Sequence, residues 1–223
     1  MRILYHHPLN VLSRVVRITL AEKGIPFEPV IERPWERRDA FLRMTPAAEV
    51  PVLVEEDGAV IVGGWALIEY LEEAYPDNTQ LLPRDVVHRA EVRRLADWFL
   101  LKFDREVTEN LVGEKLMKRL SGQGHPFAPA IRAGLANIHY HLDYIAFLSE
   151  RRPWLAGPTF TLADIAAAAA LSCVDYIDNV PWDKNPEAKD WYARIKSRPS
   201  FRAILADNIT GCPPPRHYAD LDF

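Results

Sequence analysis

The chain has 223 residues, with 31 acidic and 27 basic side chains and a formal net charge of −4. Hydrophobic residues are 48% and charged residues 26%, which excludes a disordered chain, a collagen-like repeat and a basic nucleic-acid arm. The length fits one large domain or two small ones. No apolar run reaches the length of a membrane span, and the opening Met1 to Pro8 is too short and polar for a secretory leader. A cytoplasmic protein without membrane insertion is expected. Cys173 and Cys212 are far apart and form no CxxC, which argues against a disulfide framework and cysteine-held zinc.

Residues 2–6 read as a short strand. The apolar spacing of Val15, Val16, Ile18 and Leu20 predicts a helix over about 12–23, with Asn10 as a possible N-cap and Gly24 and Pro26 as its stop. Residues 27–31 read as a second strand, whose Pro29 places it at a sheet edge. Strand, helix and strand in so short a stretch predict a parallel βαβ unit. Trp35 to Met44 reads as a charged helix. Pro51–Val54 and Ala59–Val62 read as strands joined by a hairpin around Asp57-Gly58. A helix from Gly64 or Trp65 to Ala74 closes this region.

Composition changes at Tyr75-Pro76, giving expected boundaries of 1–75 for the first domain and 76–85 for a linker. Nothing beyond reads as a strand. Val92, Leu95, Phe99, Phe103, Val107 and Leu111 recur at helical spacing, so one long helix is predicted over 86–112, followed by a mixed stretch from Gly113 to Pro129. Helices are also predicted over 129–149, after the Thr161–Asp164 capping box, and over about 186–196 and 200–207. The helical domain is thus expected to span 86–207, with a proline-rich extended tail over 208–223.

The order is βαβαββα, then all helix. Four segments carry a family resemblance in sequence: Ser13–Ile18 with Lys23–Pro26, Glu49–Leu53, Trp154–Gly157 with Thr161–Asp164, and Trp191–Arg194 with Arg198–Phe201. Together they resemble the glutathione transferase superfamily over about residues 1–205. The resemblance implies a thioredoxin-like α/β domain followed by an all-helical domain, and a homodimer built on the 65–74 helix and the helix from 86.

Glutathione transfer needs a donor that holds the thiol as thiolate. The family places a Tyr, Ser or Cys there; the matching positions here are His6 and Asn10, neither a hydroxyl nor a thiol. Asn10 can still offer an amide N–H. The family pairs the cysteinyl backbone of glutathione with the residue before a cis-proline, which here is Val50-Pro51. Its γ-glutamyl grip, an acid followed by Ser, falls on Gly63 and Gly64. Each lost charged hydrogen bond is worth about 1.5–3 kcal/mol, so a degenerate site with no bound cofactor is expected. The two His pairs, His6-His7 and His139/His141, lack a third ligand at sensible spacing, so no metal is expected. Arg37-Arg38 and Lys115/Lys118/Arg119 are diluted by acids, which argues against nucleic acid.

The ending Gly211 to Phe223 runs through Pro213-Pro214-Pro215, a stiff polyproline segment with little entropy to lose on docking. Two readings of it stay open: a strap across its own domain, or an extended docking element. With the missing glutamyl pair, this ending is similar to that of bacterial members of the superfamily that bind the cell-division protein FtsZ. That resemblance implies a non-catalytic dimer that binds FtsZ polymers at the division site and regulates filament curvature and constriction. The expected partner-binding residues are Lys115, Lys118 and Arg119 on the helical domain and Arg216, Tyr218, Asp220, Asp222 and Phe223 on the tail. The alternative is a glutathione-dependent transferase that uses Asn10 as its donor.

Overall fold

The computed structural model describes residues 1–221. It divides into two compact units, the first Met1–Leu81 and the second beginning at Leu82.

In the first unit the strands β1 (Arg2–His6), β2 (Phe27–Ile31), β3 (Val52–Val54) and β4 (Val60–Val62) form one sheet in the order β2-β1-β3-β4. β1 and β2 run parallel with Leu4 opposite Pro29, so the proline strand does take an edge. β1–β3 and β3–β4 are antiparallel, and Gly58 at φ +89° with Asp57 Oδ1 accepting the Ala59 N–H (2.9 Å) makes the hairpin turn. Helix α1 (Val11–Glu22) begins at Asn10, whose Oδ1 accepts the Ser13 N–H at 2.8 Å. It ends where Gly24 turns left-handed (φ +66°) and the Ile25 N–H reaches back to the Leu20 carbonyl (2.9 Å).

The charged helix expected from Trp35 to Met44 is broken in two. A 3-10 turn, Pro34–Glu36, is followed by Arg37 at φ +46°, and only Asp39–Leu42 (α2) is α-helical. Phe41, fully buried, anchors this short helix on Val50 and Val52. Helix α3 (Gly64–Ala74) packs on α1. The segment after α3 is ordered by Lys23, a fully buried side chain that binds Glu72 (2.8 Å) and the Thr79 carbonyl (2.9 Å).

In the second unit α4 (Val86–Asp97) is capped by Asp85 and runs on through a wide, π-type stretch, Trp98–Met117, into α5 (Lys118–Ser121). The helix therefore passes Gly113 instead of stopping at 112. Leu116, 1% exposed, continues the buried stripe of Leu111 and Val112, and Glu114 pairs with Lys118 (2.7 Å), which together outweigh the roughly 1 kcal/mol cost of an internal glycine. Helix α6 (Ala128–Ser149) crosses this stretch closely at Gly134, where a Cβ would stand 2.8 Å from Leu111. Helix α7 (Leu162–Asp175) is buried on every side, and its alanine run lets α4 and the π-type stretch approach. Its capping box is formed by Thr161 and Asp164. Helices α8 (Pro186–Lys196) and α9 (Arg202–Leu205) complete the unit.

Candidate functional site

The glutathione-related positions lie in the first unit. His6 is 3% exposed at the end of β1, and its Nδ1 has no hydrogen-bond partner among the described residues. Burial, then the nearby charges of Arg17, His7 and Arg14, push its pKa down to about 3. It is a neutral imidazole near pH 7, with no hydroxyl or thiol to offer. Asn10 spends its carbonyl oxygen on the helix cap, which fixes the side chain at the N-terminus of α1 and leaves its NH2 group as the available donor. The Val50-Pro51 peptide is cis, as expected for this position.

The positions expected for the γ-glutamyl grip, Gly63 and Gly64, carry no side chain. Gly63 caps α3 with φ +93°, a conformation that side-chain-bearing residues rarely adopt. Gly64 has ordinary φ but no room: an added Cβ would lie 2.6 Å from Leu12 Cδ2 and 2.9 Å from Leu12 Cβ. Leu12, on the first turn of α1, packs directly on the α3 backbone at the position where the resemblance leads one to expect a serine side chain. The sequence reading missed Leu12, because its importance is visible only through this helix–helix contact. Trp65, which follows, is half-buried.

The expected partner-binding residues lie in the second unit and separate into distinct environments. Lys115 and Arg119, one turn apart, line a cavity of about 360 Å³ with Leu116, Tyr176, Cys212 and Pro213. Lys115 Nζ donates to Asn179 Oδ1, and Arg119 donates to the Gly211 carbonyl at 3.2 Å, so the acceptors of both cations are neutral oxygens. Lys118 instead pairs with Glu114, whose Oε2 also accepts the Phe127 N–H (2.7 Å). On the tail, Arg216 and Asp220 are exposed.

Tyr218 corrects the expectation of an exposed aromatic anchor. It is fully buried, its hydroxyl donates to the Ile204 carbonyl (3.1 Å), and its ring meets Tyr176 edge-on at 5.2 Å. A single hydroxyl, that of Tyr176, ties down the preceding turn by donating to the Cys212 carbonyl (2.8 Å) and accepting the Ile209 N–H (2.7 Å). Pro215 has polyproline dihedrals and leads into a 3-10 turn over Arg216–Tyr218. The tail is therefore a strap on its own domain. Asp222 and Phe223 lie outside the described residues.

Comparison with known proteins agrees with this architecture. The model of the glutathione S-transferase N-terminal domain matches residues 4–79, and that of the C-terminal domain matches residues 135–199. FtsZ-localized protein A of Caulobacter vibrioides is 46% identical over 225 residues, covering 100% of this chain and 98% of that protein. The solved structure of FzlA from C. crescentus superposes with a TM-score of 0.95 at 46% identity, covering 100% of this chain and 99% of that one. A structure described as a glutathione S-transferase from Rhodospirillum rubrum F11 gives a TM-score of 0.96 at 56% identity, with both chains fully covered. The chain belongs to the glutathione S-transferase superfamily.

Proposed function

We propose that this chain is a non-catalytic binding module that associates with FtsZ polymers as a homodimer. The observation that carries the reading is the full-length likeness to FtsZ-localized protein A. The state of the γ-glutamyl positions supports it: Gly63 and Gly64 offer no side chain, and Leu12 fills the space beside one of them. A binder can lose that grip, whereas an efficient glutathione enzyme needs it. In this reading the dimer presents two equivalent faces to a filament. Two modest contacts acting together gain effective concentration without new chemistry, and would bias filament curvature at the division site during constriction. The docking residues proposed are Lys115 and Arg119 on the cavity wall and Arg216 and Asp220 on the exposed edge of the strap.

Two measurements test it. The purified full chain is expected to pellet with polymerised FtsZ and to bind glutathione at millimolar affinity or weaker by calorimetry. Low-micromolar glutathione affinity, with turnover of an aryl halide, would replace this reading by a transferase using Asn10 as thiolate donor. The fold likeness to the R. rubrum protein makes that the outcome to exclude first.

A further inference from the structure

The strap carries a charge arrangement that partner docking does not require. Helix α7 ends at Asp175, whose side chain is 1% exposed. Its Oδ1 accepts the Trp182 indole N–H at 2.8 Å, while its Oδ2 has no hydrogen-bond partner among the described residues. A buried carboxylate left half satisfied is costly, and a nearby cation relieves it. The strap brings up a group that becomes one when protonated. His217 Nε2 lies 3.3 Å from Asp175 Oδ1 and 3.8 Å from Asp178. The His217 carbonyl accepts the Lys196 ammonium at 3.1 Å, and the next residue, Tyr218, is the buried plug. The side chain and the carbonyl of His217 thus both join one polar cluster, beside the buried Tyr218.

We propose that the segment Pro213–Tyr218 is a proton-tightened strap, in which protonated His217 locks onto the buried Asp175 carboxylate and neutral His217 loosens the hold. The groups around the imidazole are Asp175 on α7, Asp178 in the turn after it, Asp183 on the rim of the adjoining cavity, Lys189 and Lys196 on α8, and Asp220 on the strap itself. The hydrogen bond to Asp175, aided by its charge and that of Asp178, holds the imidazole above the usual histidine range, against burial and Lys196. The strapped state therefore gains from protonation at low pH, and that gain disappears as pH rises through the strapped value. Lys196 acts in the opposite sense and in another window. Burial pushes it down to about 8, so the covered state disfavours its charge, a penalty relieved only above that pH. Below about pH 7 Lys196 keeps its charge and His217 carries the pH dependence; nearer pH 8 the two overlap, and His217→Gln separates them.

Amide hydrogen exchange on the full chain, corrected for intrinsic rates, measures the opening of the strap. Between about pH 5.5 and about pH 8, protection at residues 216–220 is expected to fall about three- to tenfold, the range for a charged hydrogen bond on a partly exposed imidazole. Amides in the middle of α7 are expected to keep theirs. His217→Gln removes the pH step and leaves protection at the high-pH level; Asp175→Asn removes it as well. If Asp175→Asn fails to fold, His217→Gln still decides, because its side chain sits at the surface end of the contact. Flat wild-type protection across this range, or an unchanged step in His217→Gln, overturns the proposal. FtsZ plays no part in this readout, so its outcome is independent of the partner assignment.

Discussion

The side chain of Leu12 stands where a side chain at Gly64 would have to begin, with only 2.6 Å between Leu12 Cδ2 and an ideal Cβ. Helices α1 and α3 pack closely here, so the proposed absence of a γ-glutamyl grip rests on packing as well as on two residue identities. The double variant Gly63→Glu/Gly64→Ser is expected to lose about 2–4 kcal/mol of stability, from strain at φ +93° and overpacking against Leu12, and to gain no glutathione affinity. Adding Leu12→Ala to Gly64→Ser should recover part of that loss. Denaturant unfolding with calorimetry checks both points. A double variant as stable as its parent, with restored binding, would show that the two helices can part.

Much of the fold was legible because its signals are local. The Asn10 cap, the Gly24 stop, the Asp57-Gly58 hairpin and the Thr161–Asp164 box each depend on a few adjacent residues, and each formed where the spacing put it. The failures are tertiary. Gly113 looked like a stop, yet Leu116 has a buried seat beyond it. Tyr218 among acids reads equally as an anchor or as a plug, and only the Tyr176 and Ile204 surroundings decide for the plug. Leu12 carried no signal at all, since its meaning lies in a residue 52 positions away.

His6 makes the first unit acid-sensitive. Its folded pKa, about 3, lies below the ordinary 6.5, so the unfolded chain binds its proton more readily. The stability linked to the neutral imidazole is complete above about pH 6.5 and is lost progressively as pH falls towards 3. That loss amounts to about 5 kcal/mol at most. His6→Gln, which cannot protonate, is expected to flatten the fall in melting temperature between about pH 6.5 and pH 4. An unchanged slope would mean that other groups carry the acid sensitivity.

Asp164 is the polar centre of the helical unit. Its Oδ1 accepts the Leu155 N–H (2.9 Å) and the Trp191 indole N–H (3.1 Å), and its Oδ2 accepts the Thr161 N–H (3.1 Å). Asp164→Ala would orphan three buried donors at once, and an expected cost of about 3–5 kcal/mol would place it among the severe single substitutions. Asp164→Asn keeps one acceptor oxygen and is expected to fall between. Thermal unfolding ranks the three proteins, and an alanine variant within 1 kcal/mol of the parent would contradict the role given to this carboxylate (the size of an ordinary surface substitution is about half that).

Tyr218 and Arg216 separate the strap from the docking surface. Removing residues 216–223 would uncover Tyr176 and Lys196 together, so truncation mixes folding with binding. Single positions do not. Tyr218→Ala empties a core site and is expected to cost about 3–5 kcal/mol, whereas Tyr218→Phe keeps the ring and loses the bond to Ile204, about 1 kcal/mol. Arg216 and Asp220 are both exposed, although Asp220 also lies near Lys196, so Arg216→Glu with Asp220→Lys should cost about 1 kcal/mol at most and leave the protein folded. If the exposed edge of the strap docks on FtsZ polymer, that charge-swapped pair pellets poorly at low salt. The difference from the parent shrinks as salt screens both. Charge-swapped protein that folds normally and pellets like the parent at every salt concentration would remove the strap edge from the docking surface and leave the Lys115 and Arg119 wall as the remaining candidate.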